Sequence, residues 1–374
     1  MKNTTVIIVN WNGRHLLKKC LQSLVEQTYQ KFEIILVDNG STDNSVGFIR
    51  KKFPRIRVVE LKENTGFARG NNIGISLAIK NKNIQNIILL NNDTKVERDF
   101  MEKLITTDEN KYLNKKYKKI GALVPKMLLK NRFQDNNSQK IIDAVGARTA
   151  LDGRGYNIGN GEIDKGQYDQ QREVFGFCGG AVLLKREMLE DVAKDDGWQQ
   201  EVKNGILLEC QQYFDNYFFA YYEDSDLSWR LRLRGWQVVT VPEAVVWHLH
   251  SATTEPFSFF KAYYLNRNRF LMMLKNYPQA FFWRGLWRVP VSYFKFLQTA
   301  KGKKYIQGRN ETSLLKKTVR KIKMIGILIQ VIGNIFWHCP KIFKQRKIIQ
   351  KNKLIQNDEI EKWFAFRYDS GSFL

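Results

Sequence analysis

The chain opens on a β-branched, apolar run, Thr5-Val6-Ile7-Ile8-Val9, which ends in Asn10 and Trp11 and reads as a buried strand. Leu16, Leu17, Cys20, Leu21, Leu24 and Val25 then recur at helical spacing, predicting an amphipathic helix over residues 14–27. A strand (32–38), a helix (45–52), a strand (57–61), a helix (69–81) and a strand (86–90) follow in the same way. Alternation at this spacing predicts a mostly parallel α/β sheet with helices packed on both faces. In such sheets a ligand sits beyond the carboxyl ends of the strands. Here those ends are polar: Asn10, Asp38-Asn39, Asn64 and Asn91-Asn92-Asp93, a pattern that predicts a nucleotide pocket.

After Asp93 the pattern loosens. Residues 108–119, and 131–173 with their many Gly and Asp, predict surface loops. Regularity returns at Phe175-Gly176-Phe177-Cys178-Gly179-Gly180, a glycine turn feeding the strand Ala181-Val182-Leu183-Leu184. The stretch 217–236, a strand at 237–241 and the segment 244–250 come next, with no internal repeat. At 374 residues, 43% hydrophobic and 26% charged, the chain is globular and long enough for one large domain or two. The first ten residues have neither a signal-peptide nor an anchor pattern, so a cytoplasmic location is expected. Cys20, Cys178, Cys210 and Cys339 lie far apart without a C-x-x-C pair, which predicts free thiols rather than a disulfide framework or zinc ribbon.

Three clusters carry candidate chemistry. Asn91-Asn92-Asp93 ends an apolar strand in an acid, a place suited to a divalent cation on a diphosphate; the same residues also make an ordinary turn. Glu223-Asp224-Ser225-Asp226 follows Phe218-Phe219-Ala220-Tyr221-Tyr222, and carboxylates near apolar walls and near each other gain basicity suited to a general base. The alternative is an acidic first helical turn that pairs with Arg230, Arg232 and Arg234. In Trp247-His248-Leu249-His250 the two histidines point to one face of a strand, as half a metal site or as satisfied polar residues.

These motifs, taken with Asn64-Thr65-Gly66-Phe67-Ala68-Arg69-Gly70-Asn71-Asn72, resemble in order and spacing the GT-A domain of glycosyltransferase family 2, over about residues 4–250. The subgroup they resemble is that of bacterial rhamnosyltransferase-like enzymes of surface polysaccharide synthesis. The resemblance implies a Rossmann-like GT-A fold and an inverting, metal-dependent transfer of a sugar, with rhamnose or a related deoxyhexose favoured. The donor would be a dTDP- or UDP-sugar and the acceptor a saccharide or lipid-linked oligosaccharide. It implies Asp224 as base, and Val9, Asn10, Asp38, Asn39, Asn64, Gly66, Asn71, Asn92 and Arg230 on the donor side. Cys178, Gly179, Gly180, Glu223 and Trp229 would line the acceptor side, and Trp229 and Arg230 would close the site around the diphosphate. Asp93 matches the last acid of the family's D-x-D metal motif. Asn91 stands where the first acid often is, so Mn²⁺ or Mg²⁺ would need a second ligand, for which His248 is the candidate.

Charge separates the chain into an expected catalytic domain over 1–256 and a basic, mainly helical region over 257–374. The latter holds 24 Lys and Arg against 5 Asp and Glu, most of the net charge of +24. Its most apolar stretch, 324–337, is shorter than the roughly 20 residues a spanning helix needs. The expectation is a basic amphipathic helix on an anionic membrane, at the inner face of the cell membrane; a solvated subdomain is the alternative. No RNP, zinc-finger or homeodomain pattern supports a nucleic-acid partner. A nicotinamide dehydrogenase is excluded because the first strand-to-helix turn lacks G-x-G-x-x-G. A nucleotide-sugar-binding scaffold without catalysis stays as the alternative function, on the strength of Asn91.

Overall fold

The computed structural model describes residues 2–110, 115–129, 139–193, 200–203, 206–209, 211–249, 258–298 and 314–364. The chain forms two compact units, one of residues 1–148 and 157–252, the other of 149–156 and 253–374.

In the first unit β1 (Thr4–Asn10), β2 (Phe32–Asp38), β3 (Arg57–Glu60) and β4 (Asn86–Leu90) alternate with α1 (Arg14–Val25), α2 (Ser45–Lys52) and α3 (Phe67–Ile79). Next come β5 (Thr94–Val96), α4 (Phe100–Asp108), β6 (Ile120–Leu129), β7 (Ile141–Ala144), then β8 (Ala147–Thr149) and β9 (Gly155–Asn157), whose residues are divided between the units, and β10 (Glu173–Val174) and β11 (Ala181–Lys185). After α5 (Arg186–Val192), β12 (Gln200–Lys203) and β13 (Ile206–Glu209) form a hairpin, followed by α6 (Glu223–Leu233) and β14 (Gln237–His248). The first seven elements match the predicted ones to within two residues at each boundary, because period and turn residues both mark them. Three short strands, β7 to β9, interrupt the stretch predicted as loop over 131–173.

The main sheet has the order β10-β14-β6-β11-β4-β1-β2-β3, with β5 beside β14 and β7 beside β6. Strands β3, β2, β1 and β4 run parallel, and β11 is antiparallel to both β4 and β6. The chain leaves β1 toward β2 and β3, then returns to β4 on the other side of β1. The carboxyl ends of β1 and β4 therefore flank a topological switch point, where a crevice opens.

Alternation along the strands divides the core into two layers. Ile7, Ile35, Val37 and Leu89 pack with Ala68 and Ile75 of α3 and with Leu227 and Leu231 of α6. Val6, Ile8, Leu36 and Ile88 pack on the other face, with Leu17, Cys20 and Leu21 of α1 and Phe100 and Leu104 of α4. Helix α3 lies against β1 because it presents glycine there: a Cβ on Gly74 would sit 2.5 Å from Ile7 Cγ2.

The second unit is helical: α7 (Phe259–Asn276), α8 (Gln279–Gln298), α9 (Leu314–Lys351) and α10 (Asn357–Trp363). Ala262 of α7 packs with Ile327 and Val331 of α9, and Arg346 Nη1 donates to the Leu274 carbonyl at 2.7 Å.

Candidate active site

At the switch point, three strand ends are tied by one amide. Asn10 Nδ2 donates to Asp38 Oδ1 at 3.0 Å and to Ser41 Oγ at 3.2 Å, while Asn10 Oδ1 accepts Asn92 Nδ2 at 2.8 Å. Asp38 Oδ2 takes the Ser41 N–H at 3.0 Å. Asn39 is spent in the same way: its amide donates to Asn64 Oδ1 and the Gly66 carbonyl, and its Oδ1 accepts the Thr65 N–H and hydroxyl. Asn71 Nδ2 donates to the Phe67 carbonyl within α3, and Val9 lies half-buried under that helix. These amides hold the loops in shape. A carboxylate has about four lone-pair sites, so Asp38 keeps acceptor capacity for a donor group of a nucleotide.

Beyond β4, Asn91-Asn92-Asp93 turns the chain into β5. Asn91 N donates to the Gly180 carbonyl at 2.9 Å, and Thr94 Oγ1 donates to the Asn91 carbonyl at 2.6 Å. Cys20 lies beneath this turn, its thiol pushed up to about 12 by burial, with the Asp93 charge adding. The buried Asp93 Oδ1 makes no well-directed hydrogen bond and stands 3.2 Å from His248 Nε2. On its other side the ring reaches Asp143 Oδ2, at 2.7 Å from Nδ1. Burial alone would lower the basicity of His248, but Asp143 and Asp93 outweigh it and raise the ring to about 10.

Asp143, on β7, was not among the residues singled out from the sequence. The available signal was an acid inside Ile141-Ile142-Asp143-Ala144-Val145, an apolar run within a segment read as loop. His250 lies outside the described residues, so the pairing of two histidines has no structural account.

One carboxylate oxygen and one imidazole nitrogen face each other here, a donor set that suits Mn²⁺ or Mg²⁺. Hydrogen bonding of Nδ1 to a carboxylate is how metal-binding imidazoles are commonly oriented; here the raised basicity puts a proton on both nitrogens, so Nε2 faces Asp93 as an N–H that a cation would have to displace. No three His, Cys, Asp or Glu side chains form a full cation cage among the described residues. Two protein ligands suffice where substrate phosphates complete the coordination.

The second acidic cluster sits on the first turn of α6, behind a strained entry. Phe219, Tyr221 and Tyr222 have φ of +63°, +67° and +69°, a costly region for aromatic residues that concentrates at functional sites. The Phe219 carbonyl accepts the Ala68 N–H at 3.2 Å, and Gly66, with φ +86°, lets it approach: a Cβ there would lie 2.5 Å from that oxygen.

The three acids of the cluster then diverge. Asp224 keeps partial exposure; its Oδ2 accepts the Gly179 N–H at 3.0 Å and its Oδ1 the Ser225 N–H at 2.6 Å. Burial raises its carboxyl above the ordinary 3.8, against the pull of these hydrogen bonds. Burial, followed by the Asp224 and Asp226 charges, lifts the buried Glu223 well above 4.5. Asp226 is fully buried and accepts Arg230 Nε at 2.9 Å.

Arg230 and Trp229, expected to close the site, are both fully buried in the structure. Arg230 holds Asp226 and the Tyr213 and Val192 carbonyls, and Trp229 packs edge-on against Phe175 at 5.1 Å. Positions 229 and 230 fall on the core side of the helix that presents Asp224.

The turn Cys178-Gly179-Gly180 connects the two clusters. Gly179 N–H reaches Asp224, and the Gly180 carbonyl takes the Asn91 N–H. The Cys178 thiol is pushed far up by burial, and the Asp224 and Asp143 charges both act on it. It is not a thiolate nucleophile.

A segment of 139 residues is 32% identical to Glycosyltransferase GlyA of Streptococcus pneumoniae serotype 4, covering 36% of this chain and 17% of that protein. The chain thus matches about a sixth of that relative's length. Low-salt glycan biosynthesis hexosyltransferase Agl10 of Haloferax volcanii is 20% identical over 278 residues, 72% of this chain and 75% of its own. The solved structure of GalNAc-T7 with UDP, GalNAc and Mn²⁺ superposes with a TM-score of 0.52 at 16% identity, covering 90% of this chain and 58% of that one. This likeness shows the GT-A fold. The family model described as Glycosyl transferase family 2 matches residues 5–193, half of the chain. On that match, the chain belongs to glycosyl transferase family 2.

Proposed function

We propose that the chain transfers a hexose from a UDP- or dTDP-sugar to a hydroxyl of a saccharide or lipid-linked acceptor, in the assembly of a cell-surface polymer. One observation carries the reading: a single turn, Cys178-Gly179-Gly180, contacts Asp224 on one side and the Asn91–Asp93 turn on the other. A base and an anion-binding region thus lie within a few residues of each other. The relative Agl10, named as a glycan hexosyltransferase, and the UDP of the GalNAc-T7 structure support the donor and product classes. The motif resemblance favours rhamnose or a related deoxyhexose.

In this reading Asp38 accepts a hydrogen bond from the nucleoside. Asp93 and His248 would hold Mn²⁺ or Mg²⁺, which would offset the charge of the leaving diphosphate. Asp224 takes the proton of the acceptor hydroxyl as its oxygen attacks the anomeric carbon. The bond from that carbon to the diphosphate oxygen breaks, its electron pair leaves with the nucleoside diphosphate, and the anomeric configuration inverts.

The test is nucleoside diphosphate release from UDP- and dTDP-sugars, with Mn²⁺ and then with a chelator. Donor turnover that chelation abolishes is expected. Equal turnover in both conditions removes the role given to Asp93 and His248. Metal-dependent nucleotide binding without turnover on any donor favours the scaffold reading, to which Asn91 points.

A further inference from the structure

We infer that α9 docks the protein in the plane of an anionic lipid bilayer, through an apolar stripe flanked by basic residues. Ile325, Ile329, Ile332 and Phe336 recur at intervals of four, three and four residues and share one exposed face, with Trp337 at its rim. Phe336 is 80% and Trp337 82% exposed, values at odds with a solvated helix. The opposite face is already occupied, since Ile327 and Val331 pack against Ala262 of α7. Basic residues stand at both ends of the stripe along the helix: Lys323 before it, and Lys341, Lys344 and Lys347 after it, beyond Pro340, all exposed.

An apolar face between lysines complements an interface whose interior is hydrocarbon and whose headgroups are anionic. A separate observation on α8 agrees: Trp283 and Trp287, one helical turn apart, are exposed beside Arg284 and Arg288, and Trp is enriched at membrane–water boundaries.

Ile325–Lys351 is long and apolar enough to cross a membrane by length and composition. Two features favour lying in the plane. Between Lys323 and Lys341 there are 17 residues, about 25 Å of helix against a hydrocarbon core of about 30 Å. Spanning would also strip α9 from α7 and expose the Arg346 bond to the Leu274 carbonyl.

The experiment is co-sedimentation of the full chain with phosphatidylcholine vesicles, with and without phosphatidylglycerol. It needs neither donor nor acceptor, so its failure leaves the transfer reading intact. Binding to the anionic vesicles is expected, weakened but not abolished by high salt and reversed by alkaline carbonate. Phe336→Ser with Trp337→Ser should weaken it about tenfold or more, because buried apolar area is lost. Lys341→Gln with Lys344→Gln should weaken the preference for the anionic lipid. Unchanged circular dichroism and nucleotide affinity confirm that both variants fold. The inference is overturned by absence of wild-type binding, by equal binding of the serine variant, or by resistance to carbonate. It is also overturned if the stripe pairs two copies, seen as a lipid-free dimer that the serine variant dissociates.

Discussion

On the proposed function, Asp224→Asn separates base catalysis from binding. A positioned general base contributes about 10²–10⁴ in rate, which at about 1.36 kcal/mol per tenfold is roughly 3–5.5 kcal/mol of transition-state stabilisation. The substitution also touches the fold. Each oxygen of Asp224 accepts a backbone N–H, from Gly179 at 3.0 Å and Ser225 at 2.6 Å. Asparagine keeps one acceptor and turns an NH₂ toward the other donor, at about 1–3 kcal/mol. Loss of one negative charge beside Glu223 offsets part of this, because the two carboxyls oppose each other's ionisation. The variant should fold, with a modestly lower Tm.

The assay measures sugar transfer and, separately, nucleotide affinity by calorimetry with Mn²⁺ present. Transfer should fall about 10²–10⁴-fold while nucleotide affinity stays within a factor of about three. Full turnover in the variant refutes the base assignment. Equal losses in affinity and turnover refute it too, and would move Asp224 to the donor side. The pH profile gives a second check. Only the ionised carboxylate accepts a proton, and burial holds the Asp224 carboxyl above 3.8. The wild-type rate should therefore fall as pH drops through that raised value, with a midpoint higher than for a solvated aspartate.

Asp143→Asn keeps the volume beside His248 Nδ1 but removes the charge that orients the ring, and should weaken Mn²⁺ binding about 10–100-fold by titration with nucleotide present. An unchanged affinity would confine Asp143 to the fold. Arg230→Ala strips the partner from a fully buried carboxylate and should cost about 3–5 kcal/mol by denaturant unfolding; replacing Arg230 and Asp226 together by Met and Leu should recover much of it, which a diphosphate-clamping arginine would not show in activity. Gly66→Ala places a Cβ 2.5 Å from the Phe219 carbonyl at φ +86° and should cost upward of about 1 kcal/mol in unfolding free energy, with transfer falling as the loop carrying Phe219 shifts. Wild-type stability there would mean that the Phe219 turn yields freely.

The first half of the sheet was legible because local and global signals agree there. Strands β1, β2 and β4 are continuous apolar runs ending in polar turns, and α1 and α3 carry one apolar face each. What escaped the sequence depends on contacts distant along the chain. The 12-residue β14 was read as two segments because Pro242 and Glu243 interrupt its apolar pattern, yet the strand continues through a register shift between Val241 and Val245. Asp143 meets His248 across 105 residues, and nothing local to Asp143 marks it as that histidine's partner.

The acidic cluster shows why motif spacing alone misassigns neighbours. On a helix, residues two apart point about 200° away from each other. Asp224 therefore faces the Gly179 turn while Asp226 turns into the core, where Arg230, four residues on, satisfies it. Two acids so near in sequence end with opposite tasks, and Arg230 follows the buried one. A clamp role for Arg230 requires it to leave Asp226 and two backbone carbonyls. In the proposed function the charge opposite the diphosphate would come from a cation held by Asp93 and His248, which makes chelator sensitivity the sharper test of that reading than any arginine substitution.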